Sequence, residues 1–322
     1  MENSYRPRRT CLSVPGSNPK MIEKAKGLPA DEVFLDLEDA VAPDAKAQAR
    51  KQVSAALASP GWAGQLRGVR VNDWTTPWTH ADVIDVVSAV ASARDGHLDV
   101  IVLPKVTDAS HIHALDLLLT QLELTHGLPV GRIGVDAQIE DAKGLTNIGA
   151  IAGAPRVQAL VLGPADLMAS LNMRTLVVGE QPEGYDVGDA YHHVLMTILV
   201  AARAHGIAAI DGPYLKVRDV AAFRRVAGRA AALGYDGKWV LHPDQIAAGN
   251  EIFSPRQDEY DRAELILEAY DWHTSKAGGA RGAVMLGDEM IDEASRKMAL
   301  VIAGKGRAAG MARDGERFVP PA

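Results

Sequence analysis

Short apolar runs alternate with longer segments of helical periodicity along most of the chain. Eight runs have the length and composition of buried strands: 10–14, 32–37, 68–71, 98–103, 132–139, 157–162, 206–210 and 238–241. Apolar residues recur every three to four positions in the segments between them: 43–57, 80–93, 109–125, 190–205 and 217–233. Eight strand–helix units within about 250 residues predict a TIM (β/α)8 barrel, because open doubly wound sheets usually have fewer strands. The chain also lacks the GxGxxG and P-loop sequences of nucleotide-binding open sheets.

The segment after residue 250 is not needed for such a barrel. Its helical pattern starts at Ser254-Pro255 and runs to about residue 273, since Pro is common in the first turn of a helix. A glycine-rich hinge (277–282), a short strand (283–286) and a last helix (292–303) follow. We therefore predict a barrel over residues 1–250 and a C-terminal helical extension and lid over residues 251–322.

Polar residues are concentrated where the predicted strands end. In strand order they are Ser13, Pro15 and Gly16; Asp36, Glu38 and Asp39; Arg70 and Asn72; Lys105; Glu140; Asp166; Asp211; and His242. The carboxyl ends of barrel strands form the mouth that holds the active site of TIM-barrel enzymes. A purely structural explanation, as a cap or turn residue, would have to apply separately at eight strand ends. The pattern therefore predicts a functional site at this mouth.

Glu140 and Asp166 each end an apolar run and precede a segment with helical character. Either carboxylate, taken alone, is equally well explained as the N-cap of the following helix. Together, at one edge of a parallel sheet, they would suit a hard divalent cation such as Mg²⁺. Two carboxylates leave most of an octahedral shell for water and substrate, which fits a bidentate oxygen ligand such as an α-keto or β-hydroxy acid.

Charged residues at the ends of strands two to four extend this predicted site. Arg70 can donate a fork of hydrogen bonds to a carboxylate or a developing oxyanion, or it can neutralise Asp36 or Glu38. Strand alternation places Asp36 and Glu38 on one face. Glu38 and Asp39 are candidates to contact Arg70 or the water around the metal, although spacing assigns neither a proton-transfer role. Lys105 is a Schiff-base nucleophile or an ion-pair partner, and the predicted metal site favours the ion pair.

Composition narrows the function classes. The formal net charge of −7 argues against a general nucleic-acid binder. The one cysteine, Cys11, cannot form an internal disulfide, and we expect it buried in a strand of a protein from a reducing compartment. No apolar stretch approaches a membrane span, and no signal-peptide core follows the basic N-terminus. We expect a cytoplasmic protein that binds neither nucleic acid nor membrane.

Several motifs, in order along the chain, resemble one known family. They are Ser13-Val14-Pro15-Gly16-Ser17-Asn18-Pro19-Lys20, Asp36-Leu37-Glu38-Asp39-Ala40-Val41, Val69-Arg70-Val71-Asn72, Leu103-Pro104-Lys105 and Leu241-His242-Pro243-Asp244-Gln245. The chain resembles the citrate lyase β-subunit-like CoA-ester lyases of the HpcH/HpaI aldolase superfamily, and among these it is most similar to malyl-CoA and β-methylmalyl-CoA lyases. The resemblance runs from about residue 9 to about residue 303. It implies a TIM barrel with a C-terminal lid, Mg²⁺ or Mn²⁺ as cofactor, and a homotrimer or homohexamer.

The resemblance also implies roles for individual side chains. Glu140 and Asp166 match the metal ligands, and Arg70 matches the residue that polarises the substrate. The lid segment 287–292 would close over the mouth of a neighbouring protomer, and its Asp292 matches the family's acid/base residue. From the sequence alone, Asp292 is the N-cap of the last helix. The remaining matches are to residues that surround the CoA ester: Pro15, Gly16, Lys20, Ala165 and Pro243. Among them, Lys20 would contact a phosphate and Ala165 would lie at the small-acid end.

These matches predict an enzyme that acts on a CoA thioester and a small 2-oxo acid. It would cleave L-malyl-CoA or β-methylmalyl-CoA reversibly, in a Claisen-type reaction, to glyoxylate and acetyl-CoA or propionyl-CoA. Asp141, Pro164 and the Gly287-Asp288 order depart from the family pattern around the small-acid end. The alternatives are a citramalyl-CoA lyase that yields pyruvate, a malyl-CoA thioesterase, and a non-catalytic CoA-binding subunit of a lyase complex. One methyl group in the acid pocket changes binding by only about 1–3 kcal/mol, so the sequence does not choose between the two lyases.

Overall fold

A closed barrel of eight parallel strands forms the first part of the molecule in the computed structural model, which describes residues 6–320. Each strand pairs with the next along the chain, and the first and last strands pair to close the barrel. The strands are β1 (Thr10–Pro15), β2 (Glu32–Asp36), β3 (Leu66–Arg70), β4 (Val100–Leu103), β5 (Gly134–Ile139), β6 (Val157–Leu162), β7 (Ala208–Asp211) and β8 (Gly237–Val240). The eight predicted strands and the TIM-barrel fold are therefore confirmed.

Helices connect the strands. They are α1 (Pro19–Lys26), α2 (Lys46–Leu57), α3 (Thr79–Ser92), α4 (Ala109–Thr125), α5 (Ala142–Thr146), α6 (Ile148–Ala152), α7 (Pro164–Ser170), α8 (His192–Ala204), α9 (Val220–Leu233) and α10 (Pro243–Ile252), with a 3₁₀ turn at Pro43–Ala45. The helical segments predicted after Glu140 and Asp166 are α5, α6 and α7. The sequence pattern missed α1 and α10, because helices of eight to ten residues show too few turns of periodicity. Among residues 6–320, no helix combines the length and apolarity needed to cross a bilayer.

Two apolar layers follow from the alternation of side chains along each strand. The larger core lies between strands and helices and includes Leu35, Val69 and Ile139. A smaller cluster fills the barrel interior and contains Cys11, Phe34, Val102, Ala159, Val161, Ile210 and Trp239. Cys11 is buried in β1, as predicted, and burial raises the pKa of its thiol.

The chain divides into two compact units, and residues 8–253 form the barrel unit. The described part of the second unit contains residues 6–7 and 254–320, with α11 (Gln257–Thr274), β9 (Val284–Leu286), β10 (Glu289–Ile291) and α12 (Glu293–Ala308). The two helices pack through Tyr260, Ala263, Leu267, Ala299 and Ala303. The predicted start of the first of these helices at Ser254-Pro255 is wrong. Arg256 is extended, and its backbone N–H donates to the Glu259 side chain at 2.9 Å, so the helix begins at Gln257.

The strand predicted at residues 283–286 belongs to a hairpin whose second strand the sequence pattern missed. Strands β9 and β10 pair antiparallel through Leu286–Glu289 and Val284–Ile291. Gly287 takes φ +64° at the first position of the connecting turn, a conformation that favours glycine. The Gly287-Asp288 order therefore has a structural reason in this chain.

Candidate active site at the barrel mouth

Glu140 follows the last residue of β5 and is only 3% exposed. Its two carboxylate oxygens accept from different donors. The backbone N–H of Lys105 donates to Oε1 at 2.6 Å, and Nε2 of Gln138 donates to Oε2 at 2.5 Å. The pKa of Glu140 is raised to about 8, mainly by burial and also by the negative charges of Glu38 and Asp166.

Neither Glu140 nor Asp166 caps a helix. Helix α5 is capped by Asp141, whose side chain accepts from the Lys143 N–H at 2.7 Å. Gly163 is the N-cap residue of α7, and Asp166 lies half-buried in the first turn of that helix. The cap explanation for these two carboxylates is therefore excluded. Because β5 and β6 are neighbouring strands, Glu140 and Asp166 follow adjacent strands at the same end of the barrel.

Arg70, at the end of β3, forms ion pairs with two carboxylates. Its Nε and Nη2 atoms donate to Asp36 at 2.8 and 2.6 Å, and Nη1 lies 2.9 Å from Glu38 Oε2. The guanidinium carbon stands 4.9 Å from the centre of the Trp239 ring, in cation–π contact. Burial alone lowers the pKa of Arg70, but Asp36 and Glu38 outweigh it and raise the pKa above its ordinary value.

Lys105 connects the two halves of this cluster. It has φ +51° just beyond β4, which turns its backbone N–H toward Glu140 while its ammonium group bonds to Glu38. The ammonium nitrogen also lies 3.7 Å from Asp39, whose side chain is largely exposed. Burial alone lowers the pKa of Lys105, but the bond to Glu38 reverses the effect and the pKa is raised. Lys105 is thus an ion-pair partner in this structure.

Two polar strand ends lie outside this cluster. Asp211 bonds to Lys238 on the neighbouring strand at 2.5 Å, and both side chains are buried. Because Ile210 and Trp239 fill the barrel interior, strand alternation turns Asp211 and Lys238 to the outer face. The side chain of His242 caps α10 by accepting from the Asp244 N–H.

The residues that match the CoA-ester pocket sit in loops and first helical turns at the same end of the barrel. Pro15 ends β1, the N–H of Gly16 donates to the Asp36 carbonyl at 2.8 Å, and Lys20 is exposed in the first turn of α1. Ala165 is exposed in the first turn of α7, and Pro243 is the first residue of α10. The carboxyl ends of β1, β6 and β8 thus present these residues at the mouth.

Asp292, in the second unit, is the N-cap of α12, as the sequence alone predicts. Its Oδ1 accepts from the Ser295 N–H at 3.0 Å, and its own N–H donates to Ser295 Oγ at 3.3 Å. The Ser295 N–H lowers the pKa of Asp292. The carboxylate is consequently held as an anion, the form required of a base.

The residues around Glu140 fit a divalent cation. Both hydrogen-bond donors to the carboxylate are neutral N–H groups, so neither supplies a charge to balance it. The positive charge of Arg70 lowers the pKa of Glu140, but burial and the neighbouring acids outweigh it, so the charged carboxylate is disfavoured. A cation shared with Asp166 would restore the charged form. Within residues 6–320, no group of three or more His, Cys, Asp or Glu side chains forms a complete metal cage. Two carboxylates with the remaining positions open are a donor set that suits Mg²⁺.

The chain is similar to known proteins in sequence and fold. The family model described as HpcH/HpaI aldolase/citrate lyase matches residues 9–243. The chain belongs to this family. Among HpcH/HpaI aldolase/citrate lyase proteins, an L-malyl-CoA/beta-methylmalyl-CoA lyase of Cereibacter sphaeroides is 38% identical over 306 residues, covering 92% of this chain and 94% of that protein.

Two further similarities bear on the site. A (3S)-malyl-CoA thioesterase of Cereibacter sphaeroides is 34% identical over 271 residues, covering 84% of this chain and 86% of that protein. The crystal structure of CitE from Mycobacterium tuberculosis, in complex with magnesium, acetoacetate and coenzyme A, has a TM-score of 0.67 and 27% identity. The structural match covers 94% of this chain and 98% of the CitE chain.

Sequence reasoning missed two contacts that shape the site. Gln138 is 1% exposed and holds Glu140, and Trp239 lies against Arg70. Gln138 had a signal in the sequence, because it stands two positions before Glu140 and therefore shares its strand face. Trp239 had none, since its contact with Arg70 depends on closure of the barrel.

Proposed function

We propose that this member of the family is a divalent-cation-dependent CoA-ester lyase. It cleaves L-malyl-CoA to glyoxylate and acetyl-CoA, or β-methylmalyl-CoA to glyoxylate and propionyl-CoA, and it catalyses the reverse condensation. The observation that carries the proposal is the pairing at one barrel mouth of a buried carboxylate, Glu140, with an anchored guanidinium, Arg70. The 38% identity to a malyl-CoA/β-methylmalyl-CoA lyase over nearly the whole chain supports this substrate class.

Glu140 and Asp166 would hold Mg²⁺, or Mn²⁺ in its place. When bound, the cation supplies Lewis-acid polarisation of the oxygen atoms of the malyl group. Crystal structures of CitE with magnesium and a small oxo acid support this assignment of the cofactor. Glu140 directly follows β5, and Asp166 lies in the first turn of the helix after β6, at the end of the barrel where TIM barrels place their chemistry.

Arg70 stabilises the charge that develops on the thioester. In the cleavage direction the hydroxyl group releases its proton to solvent water, and its carbon becomes the carbonyl carbon of glyoxylate. The carbon–carbon bond to that carbon breaks, and the electron pair of the bond moves into a thioester enolate. Asp36 accepts from two of the five N–H groups of the guanidinium, and Glu38 forms an ion pair with Nη1. The other N–H groups would bind the enolate oxygen. Preorganised donors of this kind typically contribute about 10²–10³-fold to the rate. Glu38 and Asp39 orient Arg70 and Lys105 without exchanging protons with substrate.

In cleavage, Asp292 takes up a proton from solvent and delivers it to the enolate carbon, and in condensation it removes a proton from the same carbon. We assign the extension over residues 251–322 as a lid that brings Asp292 to the mouth of a neighbouring subunit in a homotrimer or homohexamer. The anionic state of Asp292 suits the condensation direction, in which a base is needed at the acyl carbon. Pro15, Gly16, Lys20 and Pro243 line the CoA pocket, and Ala165 borders the small acid.

The deciding experiment identifies the CoA products of the purified protein alone. It is incubated with Mg²⁺, acetyl-CoA or propionyl-CoA, and glyoxylate or pyruvate, and the products are resolved by mass spectrometry. With glyoxylate, we expect malyl-CoA from acetyl-CoA and β-methylmalyl-CoA from propionyl-CoA. Neither product should form when a chelator is added. Condensation with pyruvate in preference to glyoxylate would replace the proposal by a citramalyl-CoA lyase. If no CoA product forms, the alternative of a non-catalytic CoA-binding subunit would replace the proposal.

A thioesterase is the second candidate, because a malyl-CoA thioesterase also shares 34% identity with this chain. Malyl-CoA offered as substrate separates the two activities. A lyase releases glyoxylate and acetyl-CoA, whereas a thioesterase releases malate and free CoA.

A further inference from the structure

Glu140 is held in one orientation by groups from three strands. The Lys105 N–H beyond β4 binds one oxygen, and Gln138 on β5 binds the other. Beyond the end of β6, Gly163 packs so closely that a Cβ atom there would lie 2.4 Å from Glu140 Oε2. The carboxylate therefore has a fixed direction before any ligand binds.

Gln138 is the one side chain among these three contacts. It is 1% exposed in the barrel interior and shares the strand face of Glu140. Its Nε2 donates to Glu140, whereas its Oε1 is buried without a hydrogen-bond partner among the described residues. A buried acceptor without a partner is costly, so an apolar residue would suit this position better if packing were its only role.

Gly163 also packs against the side-chain amide of Gln138. A Cβ atom on Gly163 would lie 3.0 Å from Gln138 Nε2 as well as against Glu140. The backbone beyond β6 thus closes over both ends of the Gln138–Glu140 hydrogen bond. This packing keeps the amide from turning away from the carboxylate.

We propose that Gln138 is a positioning residue for divalent-cation binding, which orients Glu140 through the Nε2–Oε2 hydrogen bond without contacting the ion. The inference rests on the proposed role of Glu140 as a metal ligand. Partners that orient metal ligands typically contribute about 10–100-fold to metal affinity. We expect an effect of that size from Gln138.

The test is direct titration of the metal-free protein with Mn²⁺, followed by calorimetry or by the electron paramagnetic resonance of the free ion. Gln138→Met keeps the volume and removes the donor, and Gln138→Asn keeps the amide but shortens its reach by one methylene. Both should bind Mn²⁺ about 10–100-fold more weakly than the wild type. The turnover of both lyase variants should recover as Mg²⁺ is raised, since the defect lies in affinity.

Two controls separate orientation from general damage. Gln52→Met makes the same exchange in α2, where Oε1 also lacks a partner among the described residues, and it should bind Mn²⁺ like the wild type. Thermal unfolding identifies variants that fail to fold. Wild-type Mn²⁺ affinity in both Gln138 variants would overturn the inference, and so would failure of both to fold, which would make the role structural.

Glu140→Gln distinguishes this inference from the proposed function. If Glu140→Gln binds Mn²⁺ as tightly as the wild type, the metal role of Glu140 fails, and the inference about Gln138 fails with it. If Glu140→Gln abolishes binding while both Gln138 variants bind normally, the metal role stands and the inference about Gln138 alone is wrong.

Discussion

Arg70 and Asp36 are register partners on neighbouring strands and form a two-pronged ion pair with N–O distances of 2.8 and 2.6 Å. Asp36 is 1% exposed, and Trp239 lies against the guanidinium. The plane of the guanidinium is therefore fixed by contacts that a lysine cannot reproduce. The direction of its free N–H groups is consequently set by the barrel.

Replacing Arg70 by Lys should lower kcat for malyl-CoA cleavage by about 10²–10³-fold, the usual effect of losing a preorganised oxyanion donor. The positive charge remains, but the fork to Asp36 is lost and the ammonium has no fixed direction. Steady-state kinetics at saturating Mg²⁺ measures the effect. Arg67→Lys, on the same strand but half-exposed beside Trp62, should keep wild-type kcat. An Arg70→Lys enzyme with wild-type kcat would remove Arg70 from the mechanism.

Lys105 should act through its ion pair and not as a nucleophile. A Schiff-base lysine needs a neutral amine, whereas Glu38 raises the pKa of Lys105 and keeps it charged. Lys105→Arg should retain most activity, and Lys105→Met should lose about tenfold, equivalent to about 1.4 kcal/mol of transition-state stabilisation. Borohydride reduction in the presence of glyoxylate or pyruvate should leave the protein mass unchanged. A mass increase that maps to Lys105 would contradict this assignment.

The strand pattern was enough to predict the barrel and the acids at its mouth, because both follow from local alternation and strand order. It could not decide whether Glu140 and Asp166 cap helices. That answer depends on Asp141 and Gly163, which hold the cap positions of the adjacent helices.

Other features of the site depend on the folded backbone. The φ of +51° at Lys105 lets this residue contact Glu140 through its backbone and Glu38 through its side chain. Such a φ is uncommon for lysine, and the sequence pattern does not predict it. The outward direction of Asp211 likewise follows from which residues fill the barrel interior, and the sequence pattern placed Asp211 at the mouth with the others.

At the opposite end of the barrel, Glu32 should make stability depend on pH. The Arg8 guanidinium is shared by Glu32, at 3.2 Å, and Asp136, and Gln158 accepts from it at 2.9 Å. The pKa of Glu32 is raised to about 8, mainly by burial; Arg8 lowers this pKa, whereas the negative charges of Asp136 and Asp99 raise it. The buried Cys11 thiol lies beside the same carboxylate.

Between the ordinary glutamate pKa of 4.5 and about 8, the folded protein keeps a proton on Glu32 that the unfolded chain releases. The free energy of unfolding should therefore fall as the pH rises through this window, with the slope of up to one proton, and should level off above it. Glu32→Gln should remove the Glu32 contribution to this slope, whereas Glu140, whose pKa is raised over the same window, keeps its own contribution. The variant should therefore be relatively more stable than the wild type at pH 8 than at pH 5. Urea unfolding at several pH values in the presence of a chelator measures the difference. An equal slope in the variant would show that Glu32 is ionised in the folded state.

Asp292 should have two separable roles. Asn caps helices about as well as Asp, so Asp292→Asn should preserve α12 and the melting temperature while removing the acid/base group. We expect Asp292→Asn to lose most lyase activity, and Asp292→Ala to lose both activity and thermal stability. Full activity in Asp292→Asn would exclude the acid/base role and leave the cap alone.

Mixing two inactive variants tests whether Asp292 serves a neighbouring subunit. A Glu140→Gln subunit has an intact lid and a defective barrel mouth, whereas an Asp292→Asn subunit has the reverse. If the lid crosses between subunits, co-expressed hybrids contain sites with an intact mouth and an intact lid, and activity should return to a substantial fraction of the wild-type value. If the lid closes over its own barrel, no hybrid site contains both groups, and the mixture should stay as inactive as its components. Separately purified variants assayed together without subunit exchange provide the baseline.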